Sequence, residues 1–374
     1  MEQYIGLLAV CSGQVKVEYF NLTSNIREEI LMYDFYADTK SIPTKDMLRS
    51  ILDAELGDEQ KGEDPTTKAL EARVAKLLGM EAAIFLISGT MCNEIAVRVH
   101  CKPGDEIICD ETAHLLNFEC GGPAALSGVG LMPIAGKNGI YDRQTLKKAI
   151  RPLSRYMPLT KMILVEQTTN LGGGGIWPLE TIRDVVAEAK EHGLIAHMDG
   201  ARLLNAVVKT GIPADEYTKG FDTAWIDFSK GLGAPCGGVL AGSKEFIEKA
   251  WREKQTFGGA MRQSGVLAAP CIYALDHHLT QLKKDNDLAF KISEGLKHLT
   301  QVVNIMPVET NIIIFDVIDK APIASKIVED MKAKGFLMGA FGERRLRIVT
   351  CINVDDIAGD LLLKELSHYL SAYN

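Results

Sequence analysis

The sequence lacks the features that mark membrane and secreted proteins. No apolar stretch approaches the roughly 20 residues that a bilayer-spanning helix needs. The first thirty residues carry Lys16, Glu18 and Arg27 in their interior, unlike the apolar core of a secretory signal. These absences predict a cytoplasmic protein.

Clustered positive charge is also missing. Lys and Arg total 41 against 49 Asp and Glu, which gives a net charge of −8, and no basic run is interleaved with aromatic residues. Binding to nucleic acid or to an anionic membrane surface depends on such a basic face. We therefore expect neither nucleic acid nor a membrane as a partner.

The eight cysteines do not form a recognisable pattern. None belongs to a CxxC pair or to a CxxC…HxxxH pattern, the spacings that are typical of redox and zinc sites. We expect them to be small, buried apolar residues in a reducing compartment. The sequence thus predicts neither disulfides nor a metal site.

The sequence does have an average globular composition, since 47% of its 374 residues are hydrophobic, 24% are charged and 34 are glycine. This length suits two domains, although no low-complexity linker marks the boundary. We expect an N-terminal extension over residues 1–31, a large domain over 32–275 and a small C-terminal domain over 276–374. Residues 1–31 show no clear period, so we hypothesise that Met32 is the native first residue. The alternative is a short N-terminal arm.

Strands and helices alternate through the middle of the chain. We predict strands at 161–166, 194–198, 224–228 and 238–241, and helices at 179–191 and 244–254. Apolar strands bounded by helices are typical of a mostly parallel sheet that is covered on both faces. Such a sheet binds its ligands beyond the carboxyl ends of its strands. Shorter strands (312–317 and 346–349) and helices (324–334 and 356–371) predict a smaller α+β domain at the C-terminus.

An anion site is predicted near residue 88. The spacing of Leu70, Val74, Leu77 and Leu78 predicts an amphipathic helix that starts at Thr67 and ends before Gly79. The apolar run Ala82–Ile87 then leads through Ser88-Gly89-Thr90 into a second helix that reaches about His100. The N–H groups at a helix N-terminus and two hydroxyls would converge there on a phosphate.

Three polar features follow predicted strands: the Ser88-Gly89-Thr90 turn, Asp199 and Lys230. Alone, each has an ordinary explanation as a turn, a helix cap or a loop charge. Together they supply what pyridoxal 5′-phosphate (PLP) needs, namely a phosphate anchor, a carboxylate for the pyridinium nitrogen and an amine that binds the aldehyde as a Schiff base. The sequence therefore predicts a PLP site.

From about Met32 to the C-terminus the sequence resembles the threonine aldolase (β-eliminating lyase) family of fold-type I PLP enzymes. The motifs that carry the resemblance are Gly62-Glu63-Asp64-Pro65-Thr66, Ser88-Gly89-Thr90-Met91, Ala113-His114, Cys120-Gly121-Gly122, Asp199-Gly200-Ala201-Arg202-Leu203, Ser229-Lys230-Gly231-Leu232-Gly233-Ala234-Pro235, Gly258-Gly259-Ala260-Met261-Arg262-Gln263 and Leu346-Arg347-Ile348-Val349-Thr350. The resemblance implies an aspartate-aminotransferase-like α/β large domain. It also implies a homo-oligomer, commonly a tetramer built from dimers.

The resemblance assigns roles to individual residues. Those expected to act in catalysis are Lys230, which binds the cofactor, Asp199, which pairs with the pyridine nitrogen, and His114, which stacks on the ring. Those expected to bind the rest of the cofactor are Ser88, Gly89, Thr90, Arg202, Ser229 and Arg262, the last of these across a dimer interface. Arg347, helped by Arg202, is expected to bind the substrate carboxylate, because a guanidinium matches a carboxylate in a bidentate grip.

Departures from the family pattern cluster where the substrate should lie. Ala37 stands where the family usually has a serine, Lys61 where it has a tyrosine, and Thr169 where it has a histidine. Tyr156 lies in the region where many members have a second active-site histidine. Cys351 also replaces a frequent histidine. Cleavage of a β-hydroxy amino acid needs a base for the hydroxyl proton. The candidates that remain are His114, Tyr156, Lys61 and a water held by the cofactor phosphate.

The leading functional hypothesis is an aldolase that cleaves L-threonine, L-allo-threonine or a related β-hydroxy-α-amino acid to glycine and an aldehyde. The second is β-elimination or another reaction at Cα, which Lys61 and the missing histidines favour slightly. The third is a PLP-binding protein that has lost catalysis. Retention of Lys230, Asp199, Arg202 and Arg347 argues against the third, because a decayed site should lose its carboxylate clamp first.

Overall fold

The computed structural model describes residues 4–11, 14–21 and 27–373, with side chains from residue 32 onward. Its contacts divide the chain into two compact units. The small unit comprises Met1–Thr44 and Lys284–Asn374, and the large unit comprises Lys45–Lys283. The domain boundaries drawn from the sequence, after residues 31 and 275, differ from this division and stay a prediction. The hypothesis that residues 1–31 are not native concerns a segment that the structure describes only in part, and it also stays a prediction.

The strands, numbered in chain order, are β1 (Tyr4–Cys11), β2 (Gln14–Asn21), β3 (Arg27–Asp34), β4 (Ala82–Leu86), β5 (Asp105–Asp110), β6 (Gly130–Ile134), β7 (Leu159–Glu166), β8 (Ile195–Gly200), β9 (Thr223–Asp227), β10 (Gly238–Gly242), β11 (Val302–Val303), β12 (Ile312–Val317), β13 (Phe336–Leu337), β14 (Gly339–Ala340) and β15 (Arg345–Val349). The helices are α1 (Lys45–Arg49), α2 (Pro65–Leu77), α3 (Gly89–His100), α4 (His114–Asn117), α5 (Gly122–Ser127), α6 (Arg143–Ala149), α7 (Leu179–Glu191), α8 (Leu203–Thr210), α9 (Ala214–Thr218), α10 (Lys244–Thr256), α11 (Gly265–His277), α12 (Leu279–Leu296), α13 (Ala324–Ala333) and α14 (Asp356–Ser371).

The large unit is built on a sheet with the strand order β4-β10-β9-β8-β7-β5-β6. Strand β10 is antiparallel to both of its neighbours, while β9, β8, β7, β5 and β6 pair in parallel. Strands β4 and β9 therefore run in the same direction. The predicted mostly parallel α/β sheet is confirmed, and the carboxyl ends of six of these strands point to the same side.

Helix α2 shows how local sequence sets an element. The Asp64 side chain accepts a hydrogen bond from the Thr67 N–H at 2.9 Å, and a proline occupies the first turn, so the helix has a strong N-terminal cap. Leu70 and Val74 are fully buried one helical turn apart. Gly79 follows with a φ of +61°, a left-handed conformation that glycine adopts without strain. The predicted helix is confirmed, including the glycine that ends it.

The small unit contains two further sheets, β11-β12-β15-β14 and β1-β2-β3-β13. Strands β12 and β15 are antiparallel, and Phe315 and Leu346 lie opposite each other between them. Both side chains are fully buried, in a core that also contains Leu366 of α14. The predicted C-terminal α+β arrangement is confirmed.

Two sequence-based expectations concern features outside these sheets. Among the described residues, no helix combines the length and the apolar character that crossing a membrane requires. Seven cysteines have described side chains, and all seven are free. Five of them are buried, but Cys236 is only partly buried and Cys120 is exposed, so the expectation of burial is wrong for Cys120. Its backbone has a φ of +54°, in the connection that leads into α5.

Candidate active site

The predicted site residues of the large unit follow strands that run in the same direction. Leu86 at the end of β4 and Asp227 at the end of β9 are both paired with Gly238 of β10, so these two strands end at the same level. Asp199 lies in β8, directly beside Trp225 of β9. The turns that carry Ser88 and Lys230 therefore lie on the same edge of the sheet as Asp199 near the end of β8, as the sequence predicted.

The first turn of α3 forms a cradle for an anion. The Ser88 side-chain oxygen accepts a hydrogen bond from the Met91 N–H at 3.2 Å and so caps the helix. At Gly89 an added Cβ would lie 2.3 Å from the Trp225 ring, which makes any larger residue clash. The N–H groups of a first helical turn have no partner within the helix and carry partial positive charge. This turn can therefore bind a phosphate through its backbone.

Lys230 follows β9 and is held by a carboxylate. Its Nζ lies 2.7 Å from Oδ2 of Asp227, and the two side chains are only 14% and 3% exposed. The other oxygen, Oδ1, accepts hydrogen bonds from the N–H of Ser229 at 2.7 Å and from its hydroxyl at 2.8 Å. Lys230 Nζ also lies 5.5 Å from the centroid of the Trp225 ring. The amine is thus fixed at the sheet edge rather than free in a loop.

Asp199 is buried, and each of its two carboxylate oxygens accepts a hydrogen bond. Its Oδ1 accepts from the Ala201 N–H at 3.0 Å, and its Oδ2 accepts from the Asn93 amide at 2.9 Å. The same amide nitrogen donates to Oε1 of Glu119 at 2.7 Å, while Oδ1 of Asn93 accepts from Trp225 Nε1 at 2.7 Å. Asn93 therefore joins two carboxylates and fixes the position of the Asp199 side chain.

His114 is oriented by Glu119. Its Nδ1 lies 2.8 Å from Oε1 of Glu119, a side chain that is fully buried, whereas the histidine is 32% exposed. Burial acts to lower the pKa of His114, but the hydrogen bond that the ring donates to Glu119 and the charges of Asp199 and Glu119 outweigh burial, so that the pKa is raised. A proton on Nδ1 that faces Glu119 leaves Nε2 as the acceptor of the neutral ring.

Glu166 and Arg202 lie at the same edge of the large sheet as Asp199. Burial, together with the nearby charge of Asp199, raises the pKa of Glu166 to about 7, while the charge of Arg202 opposes this rise. Glu166 Oε1 accepts from the His114 N–H at 3.2 Å, which ties the start of α4 to the end of β7. Thr169, where the family usually has a histidine, is buried and its hydroxyl oxygen accepts from the Gly175 N–H at 3.0 Å.

The loop that carries Arg262 is anchored from inside the large unit. Lys254 is fully buried, donates to the carbonyl oxygen of Phe85 at 2.8 Å and forms an ion pair with Glu59. Glu59 Oε2 in turn accepts from the Met261 N–H at 2.7 Å, and the Glu59 N–H donates to the Arg262 carbonyl at 2.8 Å. A buried ion pair therefore sets the path of the backbone at the arginine.

The remaining predicted residues make other contacts. The Arg262 guanidinium is 62% exposed and pairs with Asp58 at 3.1 Å. Tyr156 is 94% exposed, and Lys61 is exposed as well. Arg347 belongs to β15 of the small unit, is 6% exposed, and has its guanidinium carbon 4.8 Å from the ring centroid of Phe341. The roles expected of Arg262 and Arg347 stay predictions.

Comparison with known proteins identifies the family. The model of the beta-eliminating lyase family matches residues 34–320, well over half of the chain. The chain belongs to the beta-eliminating lyase family. Low-specificity L-threonine aldolase 1 of Arabidopsis thaliana is 38% identical to this lyase over 322 residues, which are 84% of this chain and 90% of the plant protein.

Two further comparisons extend over nearly the whole of the other protein. The low specificity L-threonine aldolase of Escherichia coli O157:H7 is 36% identical over 339 residues, 90% of this chain and 98% of the bacterial one. The solved structure of Leishmania major threonine aldolase superposes with a TM-score of 0.76 at 18% identity and covers 90% of this chain and 99% of that chain. The structural likeness shows that this lyase has the same fold.

The sheet edge of this lyase fits pyridoxal phosphate in three respects. Gly89 lets the start of α3, whose N–H groups can bind a phosphate, pack against the Trp225 ring. Lys230 supplies an amine that is little exposed, and Asp199 supplies a buried carboxylate in a fixed position. Asp227, in contrast, has the same sign of charge as a phosphate, and Gly89 lies beside it.

Sequence reasoning missed three residues of this network, namely Asn93, Glu119 and Asp227. Asp227 lies three positions before Lys230 and Glu119 lies five positions after His114, so their proximity to named residues was the available signal. Asn93 carries no such signal, because its partner Asp199 is 106 positions away.

Proposed function

We propose that this lyase is a PLP-dependent aldolase that cleaves a β-hydroxy-α-amino acid, such as L-threonine or L-allo-threonine, to glycine and an aldehyde. The observation that carries the proposal is the shared sheet edge of Lys230, Asp199 and Gly89, with His114 oriented by Glu119. Pyridoxal phosphate is the cofactor of the family. When bound, it supplies an electron sink for the bond that breaks at the substrate Cα.

The residues of the chain would hold the cofactor at three points. Lys230 would bind the aldehyde through its amine, and the first turn of α3 would bind the phosphate through its N–H groups. The Asp199 carboxylate, fixed by Asn93 and by the Ala201 N–H, would face the pyridine nitrogen and keep its proton in place. Since these contacts to Asp199 already exist in the chain, no side chain has to be reorganised for that step.

His114 is our choice for the group that receives the proton of the β-hydroxyl, directly or through a water. Its Nδ1 is held by a fully buried carboxylate, so Nε2 is left to accept a proton, and the raised pKa makes the ring a better base. Tyr156 is 94% exposed and Lys61 is exposed, whereas His114 is 32% exposed and is bonded to a buried carboxylate. Stacking on the cofactor ring is compatible with this role.

The remaining roles are proposed from the chemistry of the side chains and from the resemblance to the family. Arg347, with Arg202, would bind the substrate carboxylate, and Arg262 would bind the cofactor phosphate of a neighbouring protomer. The 62% exposure of the Arg262 side chain supports a contact outside its own chain. We propose a homo-oligomer, a dimer of dimers, and a cytoplasmic location.

The test is to incubate the PLP-loaded protein with L-threonine, L-allo-threonine and L-phenylserine and to assay glycine, aldehyde, ammonia and keto acid together. Glycine with an equal amount of aldehyde is the expected result. Ammonia with keto acid would instead favour β-elimination, and no turnover of any substrate would refute the aldolase. The Lys230→Ala variant serves as the control, because it should fold but lose the visible absorbance band of the bound cofactor.

A further inference from the structure

Asp227 has no role in the function proposed above, yet it is bonded to the most important side chain of the site. Its Oδ2 lies 2.7 Å from Lys230 Nζ, and with exposures of 3% and 14% the pair is largely shielded from solvent. Shielded ion pairs are screened little by salt and cost free energy to separate. The amine that should bind the cofactor is therefore already committed to a carboxylate.

The same carboxylate lies at the anion cradle. A Cβ built on Gly89 would be 3.1 Å from Asp227 Oδ2, so this oxygen is a close neighbour of the first residue of α3. The partial positive charge at a helix N-terminus attracts anions, and α3 has 12 residues. Asp227 thus occupies surroundings that suit a phosphate, and it carries the same sign of charge.

We propose that Asp227 is an internal competitor of the cofactor, which holds Lys230 and repels the phosphate, so that it weakens cofactor binding. The inference rests on the proposed PLP function. Binding must separate Lys230 from Asp227 and bring a phosphate dianion next to a carboxylate that lies in a poorly hydrated site. Like charges at such a site repel strongly, and the observed ion pair adds to the cost. Asp227 determines how tightly this chain keeps its cofactor.

The experiment compares the wild-type full chain with the Asp227→Asn variant after removal of the cofactor. Asn has the same shape, and its side-chain oxygen can still accept the hydrogen bonds of Ser229. Three ligands are titrated: pyridoxal 5′-phosphate, pyridoxamine 5′-phosphate, which lacks the aldehyde, and pyridoxal, which lacks the phosphate. The visible band reports the aldehydes, and quenching of Trp fluorescence reports pyridoxamine 5′-phosphate. Asp215→Asn, an exposed position of the same unit, is the matched control.

We expect Asp227→Asn to bind pyridoxal 5′-phosphate about tenfold more tightly, because the substitution removes the repulsion between the carboxylate and the phosphate. A tenfold change in Kd corresponds to ~1.4 kcal/mol of binding free energy. The gain should extend to pyridoxamine 5′-phosphate and be smaller for pyridoxal. Unchanged or weaker binding of pyridoxal 5′-phosphate, or an equal gain for pyridoxal, would overturn the proposal. If the Asn variant does not fold, Asp227→Ser gives the same comparison. Failure of wild type to bind pyridoxal 5′-phosphate at all would refute the proposed function instead.

Discussion

Replacement of Lys254 by methionine should destabilise the large unit far more than replacement of a surface lysine. The Lys254 side chain is fully buried and its partner Glu59 is 3% exposed, so methionine would leave a buried carboxylate without its cation. Removal of one partner of a buried pair costs about 3–5 kcal/mol. The carbonyl of Phe85 would lose a donor as well. We expect a loss of this size in urea unfolding, together with weaker binding of the cofactor through the displaced Arg262 loop.

The same helix offers a matched control. Lys249 of α10 pairs with Glu245 at 2.6 Å, but the two side chains are 60% and 80% exposed. Exposed pairs of this kind contribute about 0–1 kcal/mol, so Lys249→Met should have little effect. A loss below about 1 kcal/mol in Lys254→Met, equal to that of the control, would refute the reasoning.

The pH dependence of the Lys254→Met defect is a second check. Burial raises the pKa of the neighbouring Glu71 to about 7, and the charge of Lys254 opposes that rise. Without Lys254 the folded-state pKa of Glu71 rises further above its unfolded value. A raised folded-state pKa stabilises the fold at low pH, and this contribution is lost as the pH increases through that pKa. The stability defect should thus be smaller at about pH 5 than at about pH 8.

Three other substitutions test individual residues. Gly89→Ala should weaken cofactor binding and also destabilise the large unit, because its Cβ would come within 2.3 Å of the buried Trp225 ring and displace the start of α3; absorbance of the bound cofactor and urea unfolding measure the two effects. Glu119→Gln should shift the acidic limb of the pH–rate profile to lower pH, since the carboxylate raises the pKa of His114 and the neutral ring is the active form. Arg347→Ala should raise KM for the amino acid by a factor that corresponds to about 2–4 kcal/mol while the cofactor stays bound.

For each of these substitutions one result would contradict the prediction. Normal cofactor binding in Gly89→Ala would mean that the phosphate lies elsewhere. An acidic limb that does not move in Glu119→Gln would remove His114 from the role of base. An unchanged KM in Arg347→Ala would show that another residue binds the substrate carboxylate.

Sequence reasoning reached the fold and the chemical groups of the site because both depend on local patterns. Apolar runs bounded by helices predict the parallel sheet, and Asp199 and Lys230 stand out because each comes soon after such an apolar run. The network behind them depends on contacts between distant segments. The bond between Asn93 and Asp199 cannot be inferred from either local sequence, and neither can the exposure of Tyr156, one of the candidate bases.

Asn93 also has a consequence for attempts to change the substrates of this lyase. Both hydrogens of its amide go to the carboxylates of Glu119 and Asp199, and its oxygen faces Trp225 Nε1 at 2.7 Å and His197 Nε2 at 3.2 Å. Aspartate at this position would place a third negative charge beside the two carboxylates, and leucine would remove one hydrogen-bond donor from each of them. Mutant libraries that aim to change the substrate should therefore keep Asn93 fixed.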